Sequence, residues 1–446
     1  MKILPTIGPV SSSVKSIKLL NRFSNIFRLN GSHNSLNWHR QTIKKIKRLN
    51  FKNQILLDIP GVKPRTANKE KILIKKNQLV TFYYKNNNFK RDGIPLTHPL
   101  PNLKKVSTFT ISDGKYLFKI IRKQKNLIIG KSFQNFYLDS KKGINLPNSI
   151  YDDSRQLKLS LKFIKKIKNF KFDLIGLSFM QSKKIIKILK KKYPQYLIVS
   201  KIENSEGLKN ADQICEESDI IMIDRGDLGA EIGNEKLFES INKIVSIAKS
   251  KGKPIIMATE NLDSMINNKL PSKSDVVNIS YYHSLGIETI MLSDETTTST
   301  NFLNTCAWLN NFINKKNKKN LIKQKINNDE FIIKSLSNNN RLPLIIFSKK
   351  GYFFEKLQKL SSENKIYLFT KNKKLLNISS FQKNVDCFIL DNFKNRNVDT
   401  FIKYNIKKNK KIIFKYSNKA FLVYVNFPRK NSRANTITLV SKEDFK

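Results

Sequence analysis

Residues 196–227 read YLIVSKIENSEGLKNADQICEESDIIMIDRGD. Two apolar runs, 196–203 and 219–227, each end in charged residues, and a polar, helix-compatible stretch separates them. An apolar run that stops on charge is how a strand buried on both faces reads when its end reaches a wet surface. The same unit recurs outward along the chain, at 2–8, 25–32, 54–61, 173–179, 254–260 and 288–295. Amphipathic stretches such as 36–49, 182–192, 236–250 and 262–285 lie between them. Eight strand–helix units are the count of a (β/α)₈ barrel, an α/β fold whose chemistry gathers where the strands end.

The pattern breaks once, after the third strand. Residues 67–150 hold short alternating runs (ILIKKNQLVTFYY, TFTISDGKYLFKII, KNLIIGKSF) that predict a small β-domain inserted over the barrel's carboxyl face as a lid. The expected organisation is barrel at 1–66 and 151–315, lid at 67–150, and a C-terminal α/β domain at 316–446. The polar run KKNKKNLIKQKINNDE reads as the linker into that last domain, and PLIIFS, KIYLFT, DCFIL and KKIIFKY read as its strands.

Composition bounds the function. The 446 residues carry 84 Lys+Arg against 34 Asp+Glu, a formal charge of +50. The lysines are spread along the chain rather than gathered in one tail. In KKIIKILKKK (183–192) they face away from an isoleucine and leucine stripe, as a solvated helix face does. A nucleic-acid partner is therefore the lesser reading, although a basic nucleic-acid-binding protein on a barrel scaffold stays open. No run approaches the length of a membrane span, and the start shows no secretory pattern. The three cysteines (Cys215, Cys306, Cys387) form no CxxC pair, which fits a reducing cytoplasm. The four histidines have no metal-ligand spacing, so a metal here would be a hard ion on carboxylates.

The strand ends carry the chemistry. Two-residue alternation puts Lys201 and Glu203 on one side of the fifth strand, pointing into the barrel mouth, and Asp227 follows the sixth. Two carboxylates beside a lysine suit Mg²⁺ and a phosphoryl group; an ordinary ion pair at a strand end is the competing reading. Arg28, Asn30, Ser32 and His33 close the second strand, and Asp58, Gly61, Lys63 and Arg65 the third. Thr259 closes the seventh, and Ser293 and Glu295 the eighth. One such residue is usually a cap; six strand ends with anion- and cation-binding groups are not.

These residues resemble one family, pyruvate kinase. TIGPVSSS (6–13), RLNGSHN (28–34), KKGINLPNS (141–149), SKIENSEG (200–207), MIDRGDLGAEI (222–232), KPIIMATENLDSMI (253–266) and IMLSDETTTS (290–299) are similar to its motifs, in the family's order. The resemblance covers residues 1 to about 300 and is faint beyond, where NTITLV (435–440) is its closing trace. It implies transfer of the phosphoryl group of phosphoenolpyruvate to ADP, giving pyruvate and ATP, in a cytoplasmic homotetramer. Glu203 and Asp227 would hold Mg²⁺, while Lys201 and Arg28 would contact the phosphoryl group. Thr259 would lie on the side where the enolate is protonated, with Ser293 and Glu295 as a candidate relay behind it. The amides of Gly226 and Asp227 would cradle the substrate carboxylate. Asn30, His33, Arg65 and Lys142 would face the nucleotide.

Departures from the family pattern stand beside the matches. An acidic residue that goes with K⁺ activation is replaced by Lys63, which predicts an enzyme that does not require K⁺, with Asn30, Ser32 and Asp58 holding the lysine ammonium. Ile59 replaces a threonine, Pro60 a lysine, Glu260 a glutamine and Asp294 a glycine, and the stretch PSKSDVVN is a few residues short. These changes leave a pyruvate-kinase-like enzyme with altered substrate or reduced activity as an alternative. In the last domain, Ser348 and Lys350 read as either a phosphate site or plain surface, and no sugar-phosphate activation is expected.

Overall fold

The computed structural model describes residues 1–85, 93–103, 106–112, 114–124, 126–316, 342–348, 351–359, 364–390, 398–424 and 436–445. Eight parallel strands form one sheet: β1 (Lys2–Pro5), β2 (Ile26–Asn30), β3 (Gln54–Ile59), β4 (Leu174–Leu177), β5 (Leu197–Ile202), β6 (Ile220–Asp224), β7 (Ile255–Ala258) and β8 (Thr289–Leu292). Their order around the sheet is β1-β8-β7-β6-β5-β4-β3-β2. The ring closes between β1 and β2 through the parallel bridge Thr6–Arg28 and a 2.9 Å bond from the Ile7 N–H to the Arg28 carbonyl. This is the (β/α)₈ barrel the eight runs imply.

Alternation divides each strand between two cores. Leu4, Ile26, Leu56, Leu174, Leu197, Val199, Ile220, Met222, Ile256 and Met291 fill the barrel interior. Ile55, Leu57, Ile175, Ile198, Ile202, Ile221, Ile223 and Ile290 face outward and pack under the helices. The helix Lys183–Lys192 shows why those helices form. Ser182 caps it by accepting the Lys184 N–H at 3.1 Å, and Ile185, Ile186 and Leu189 bury one stripe. The stretch 262–285 is not one helix. It splits into a 3₁₀ turn, Asp263–Ile266, and a helix, Lys273–Ser284. Pro271 cannot donate to a preceding turn, and Ser272 restarts the helix by capping the Asp275 N–H.

Between β3 and β4 the chain builds a six-stranded, mostly antiparallel sheet around Phe82, Phe109, Phe118 and Ile128. Past the barrel, a five-stranded sheet holds Leu344–Phe347, Ile366–Thr370, Val385–Ile389, Lys419–Tyr424 and Thr436–Ser441. The run KKIIFKY is not a strand there: residues to 413 belong to the helix Val398–Ile413, whose Ile402, Ile406 and Ile413 face the core. A short apolar run cannot be told from a buried helix by periodicity. Residues 317–341, most of the expected linker, lie outside the described residues, as does Lys350. Ser348 turns inward locally and accepts the Gly351 N–H at 2.8 Å.

One residue of this last segment enters the barrel. Phe381 is fully buried at its amino end among Leu4, Ile26, Leu56, Leu174 and Leu197. The Phe381 carbonyl accepts the Thr289 hydroxyl at 2.8 Å, and the ammonium of Lys2 donates to the Ser379 carbonyl at 3.1 Å.

Candidate active site

The inward register that fills the barrel with Leu197 and Val199 continues to Lys201 and Glu203; on β6, Ile220 and Met222 lead to Asp224. Arg28 on β2 and Asp58 on β3 take the same position. The result is a buried ring of charge at the carboxyl ends of the strands. Arg28 Nε donates to Asp58 Oδ2 at 2.7 Å, and its Nη1 donates to Thr6 Oγ1 at 3.1 Å. Lys201 Nζ lies 2.6 Å from Glu203 Oε1, 3.2 Å from Asp224 Oδ2 and 3.8 Å from Asp58 Oδ2. Asp58 reaches this place because β4 carries a glycine. A Cβ on Gly176 would stand 1.7 Å from Asp58 Oδ1.

Asp227 comes from a different element, the first turn of the helix Arg225–Ile232 that follows β6. Glu203, Asp224 and Asp227 each place a carboxylate oxygen within 4.8 Å of the others. Burial pushes the Glu203 carboxyl up to about 8; Lys201 opposes the shift, and Asp224 and Asp227 add to it. Burial acts on Asp224 in the same direction, but Lys201, the Thr259 hydroxyl and Arg28 outweigh it and hold its pKa below the usual range. Burial would lower Lys201, yet Glu203, Asp224 and Asp58 hold its pKa above the ordinary lysine value. Three oxygen-donor carboxylates, one of them carrying a large desolvation penalty, suit a hard divalent cation, which would relieve that penalty.

The other expected residues fall around this ring. Thr259 takes a left-handed φ of 62°, as does Glu260 at 51°. Arg225 braces both, donating Nη2 to the Thr259 carbonyl at 2.9 Å, to the Glu260 carbonyl, and Nη1 to Tyr282 Oη at 2.6 Å. The Gly226 amide is already engaged, donating to Thr259 Oγ1 at 3.1 Å. Arg65 and Lys142 lie on paired segments at the base of the inserted sheet: the Thr66 N–H donates to the Lys142 carbonyl at 2.9 Å, and Arg65 bridges Gly143. His33, on the loop after β2, has its pKa lowered by partial desolvation and then by Arg65 and Arg28. Glu295 ties two loops, accepting the Leu262 N–H at 3.0 Å and the Ser293 N–H at 2.6 Å, and burial pushes it up to about 7. Asp294 opens the helix Asp294–Thr297 and is absent from the residues with positive φ, so its backbone asks for no glycine.

The grouping of Lys63 with Asn30, Ser32 and Asp58 is not what the structure brings together. Lys63 pairs with Asp227 Oδ1 and lies 5.6 Å from the Phe179 ring centroid. Asp58 is taken by Arg28 and Lys201. Asn30 turns back on its own loop, accepting the Ser32 N–H at 3.1 Å, and Ser32 itself is exposed. Sequence reasoning also passed over three groups. Asp224 was within reach, because the alternation Ile220–Met222–Asp224 points it inward. Arg225 and the fully buried Glu231 were not, since their partners come from distant loops. Glu231 accepts from the Leu146 N–H at 3.2 Å, with the Asn145 amide, the Ser149 hydroxyl and the Tyr151 hydroxyl at 3.4 to 3.5 Å.

A parallel eight-stranded barrel with a carboxylate–lysine cluster buried at its carboxyl strand ends is a (β/α)₈ barrel of the kind that concentrates its chemistry there. A model of the pyruvate kinase barrel domain matches residues 1–305. A pyruvate kinase of Dictyostelium discoideum is 32% identical over 320 residues, 66% of this chain and 62% of that protein. One of Buchnera aphidicola is 32% identical over 314 residues, 66% of this chain and 65% of that protein. A crystal structure of a pyruvate kinase from Cryptosporidium parvum superposes with a TM-score of 0.81 over 99% of this chain and 95% of that one, at 24% identity. The chain belongs to the pyruvate kinase family. The sequence match spans 62% of the length of the Dictyostelium relative.

Proposed function

We propose that this protein transfers the phosphoryl group of phosphoenolpyruvate to ADP, releasing pyruvate and ATP, with Mg²⁺ as cofactor. The observation that carries the reading is the Glu203–Asp224–Asp227 cluster with Lys201 inside it and Arg28 beside it. Bound there, Mg²⁺ would supply charge neutralisation for the carboxylate and enolate oxygens of the substrate, with Glu203 and Asp227 as its protein ligands.

The chain's own groups do the rest. Lys201 and Arg28, both buried and locked in ion pairs, present fixed positive charge where three phosphoryl oxygens would share negative charge, so no reorganisation is needed as the group moves. Thr259, its hydroxyl held by Asp224 and the Gly226 N–H, would serve the side where the enolate is protonated, with Ser293 and Glu295 as the candidate relay that the family resemblance implies. His33, Arg65 and Lys142, around the base of the inserted sheet, are the nucleotide-facing set, with Asn30 on the neighbouring loop. Lys63 supplies beside Asp227 a permanent cation, which supports turnover without K⁺. Cytoplasmic location and a homotetramer are inferred from the family; among the described residues no helix is long and apolar enough to cross a membrane.

The test is an assay of pyruvate formation from phosphoenolpyruvate and ADP, read by ³¹P NMR so that the fate of the phosphorus is seen directly. Transfer to ADP that requires Mg²⁺ supports the proposal. Absence of transfer in a folded protein with Mg²⁺ and both substrates present would overturn it.

A further inference from the structure

Asp224 belongs to the carboxylate cluster but is not one of the two ligands assigned to Mg²⁺, and it touches both sides of the site. It ends β6 on the inward face and is 5% exposed. Its Oδ2 lies 3.2 Å from Lys201 Nζ. Its Oδ1 accepts the hydroxyl proton of Thr259 at 2.8 Å, and the Thr259 oxygen accepts the Gly226 N–H at 3.1 Å. A single polar chain therefore runs Lys201–Asp224–Thr259–Gly226 across β5, β6 and β7.

Thr259 needs such support. Its φ of 62° is one a β-branched residue holds only under strain, so the side chain stays where its contacts keep it. Its hydroxyl has one alternative acceptor, the Ala258 carbonyl, also at 2.8 Å. A carboxylate is the stronger acceptor of the two, by roughly twofold for an ionised partner. The other oxygen of that carboxylate lies 3.2 Å from the Lys201 ammonium, which holds the group in place for Thr259. A threonine hydroxyl offers one proton and two lone pairs. Here the proton goes to Asp224 and one lone pair to Gly226, which leaves one lone pair for the substrate side.

We propose that Asp224 is a positioning residue that acts through Thr259, fixing the hydroxyl so that its remaining lone pair faces the substrate carbon at which the proton is taken and returned. This deepens, and rests on, the reading of the site as one for phosphoenolpyruvate and pyruvate. The step it governs is proton exchange at the pyruvate methyl group. A methyl C–H bond breaks, its electron pair forms the C=C bond of the enolate as the carbonyl oxygen takes the negative charge, and the proton leaves to solvent. The reverse step returns a solvent proton to the same carbon.

The experiment follows exchange of the pyruvate methyl protons in D₂O by ¹H NMR, with Mg²⁺ present, for the wild type, Asp224→Asn, Thr259→Val and the double variant. Mn²⁺ binding is measured alongside by electron paramagnetic resonance, without substrate. Asp224→Asn keeps the shape and an acceptor oxygen but removes the charge. It should slow exchange about 10–100-fold while the Mn²⁺ affinity stays within about threefold, and the double variant should exchange no more slowly than Thr259→Val. If Asp224→Asn does not fold, Asp224→Ser serves the same comparison. Wild-type exchange in either Asp224 variant, or single effects that multiply, would overturn the proposal. A parallel loss of Mn²⁺ affinity would also overturn it, because Asp224 would then be a metal ligand. A wild-type protein that neither exchanges pyruvate protons nor turns over phosphoenolpyruvate sinks the functional reading itself. With a wild type that does both, the variants decide the role of Asp224 alone.

Discussion

Replacing Lys63 by methionine removes one charge and little volume. The Lys63 side chain is 3% exposed and its ammonium is paired with Asp227, whose own side chain is 16% exposed. Around that pair lie the carboxylates of Glu203 and Asp224, and Glu231, which burial pushes up to about 8 with Lys63 as the main opposing influence. For a contact ion pair at an effective dielectric of about 20, the attraction is roughly 4–5 kcal/mol before relaxation. Breaking a buried pair costs ~3–5 kcal/mol, and the residual water access of Asp227 argues for the lower end. About 3 kcal/mol of lost organisation at Asp227 corresponds to a fall in kcat/KM of about 10²-fold. The assay compares turnover in tetramethylammonium chloride and KCl at equal ionic strength. Wild type should run equally in both. Lys63→Met should fall about 10²-fold in tetramethylammonium and recover much of the loss in KCl, as a mobile cation takes the vacated place. Strong activation of the wild type by K⁺, or full turnover of Lys63→Met in tetramethylammonium, would show that Lys63 does not supply this charge.

Phe381→Ala should lower stability by about 3–5 kcal/mol, since the fully buried ring packs among the residues of the barrel interior; a calorimetric loss under about 1 kcal/mol would contradict the packing. Glu288→Gln tests a half-buried residue whose carboxylate accepts the Ile255 N–H at 2.8 Å and is pushed up by desolvation to about 7. Its folded pKa lies above the unfolded value, so the folded protein holds a proton the unfolded chain has released. That contribution is complete below pH ~4.5 and is lost as the pH rises through about 7, a change of about 3 kcal/mol. The difference in unfolding free energy between wild type and Glu288→Gln should therefore move by that amount between pH 4.5 and 7.5, and parallel curves would refute it.

The barrel was legible because its strands are buried on both faces and read as unbroken apolar runs, each stopped by charge. Lys201 and Glu203 followed from alternation alone. The same rule applied to Ile220 and Met222 leads to Asp224, but Asp227, which no strand carries, is the more conspicuous acid beside its glycine. Lys63 could be seen as an anomaly, yet its partner could not, because 164 residues and a whole sheet separate it from Asp227. Phe381 shows no pattern at all: a lone aromatic in a turn becomes a barrel plug only through the packing of one segment on another. The helix over KKIIFKY illustrates the complementary limit, where local sequence suits two structures and the tertiary core selects one.

The proposed function places a divalent cation on Glu203 and Asp227, set among Lys201 and Arg28, and makes phosphoryl transfer depend on it. Turnover of phosphoenolpyruvate and ADP by Asp227→Asn, measured with its thermal unfolding curve and Mn²⁺ affinity, puts that dependence to the test. A folded protein is expected whose turnover falls at least about 10³-fold, with Mn²⁺ affinity falling in step. A folded Asp227→Asn protein that turns over at the wild-type rate would contradict it.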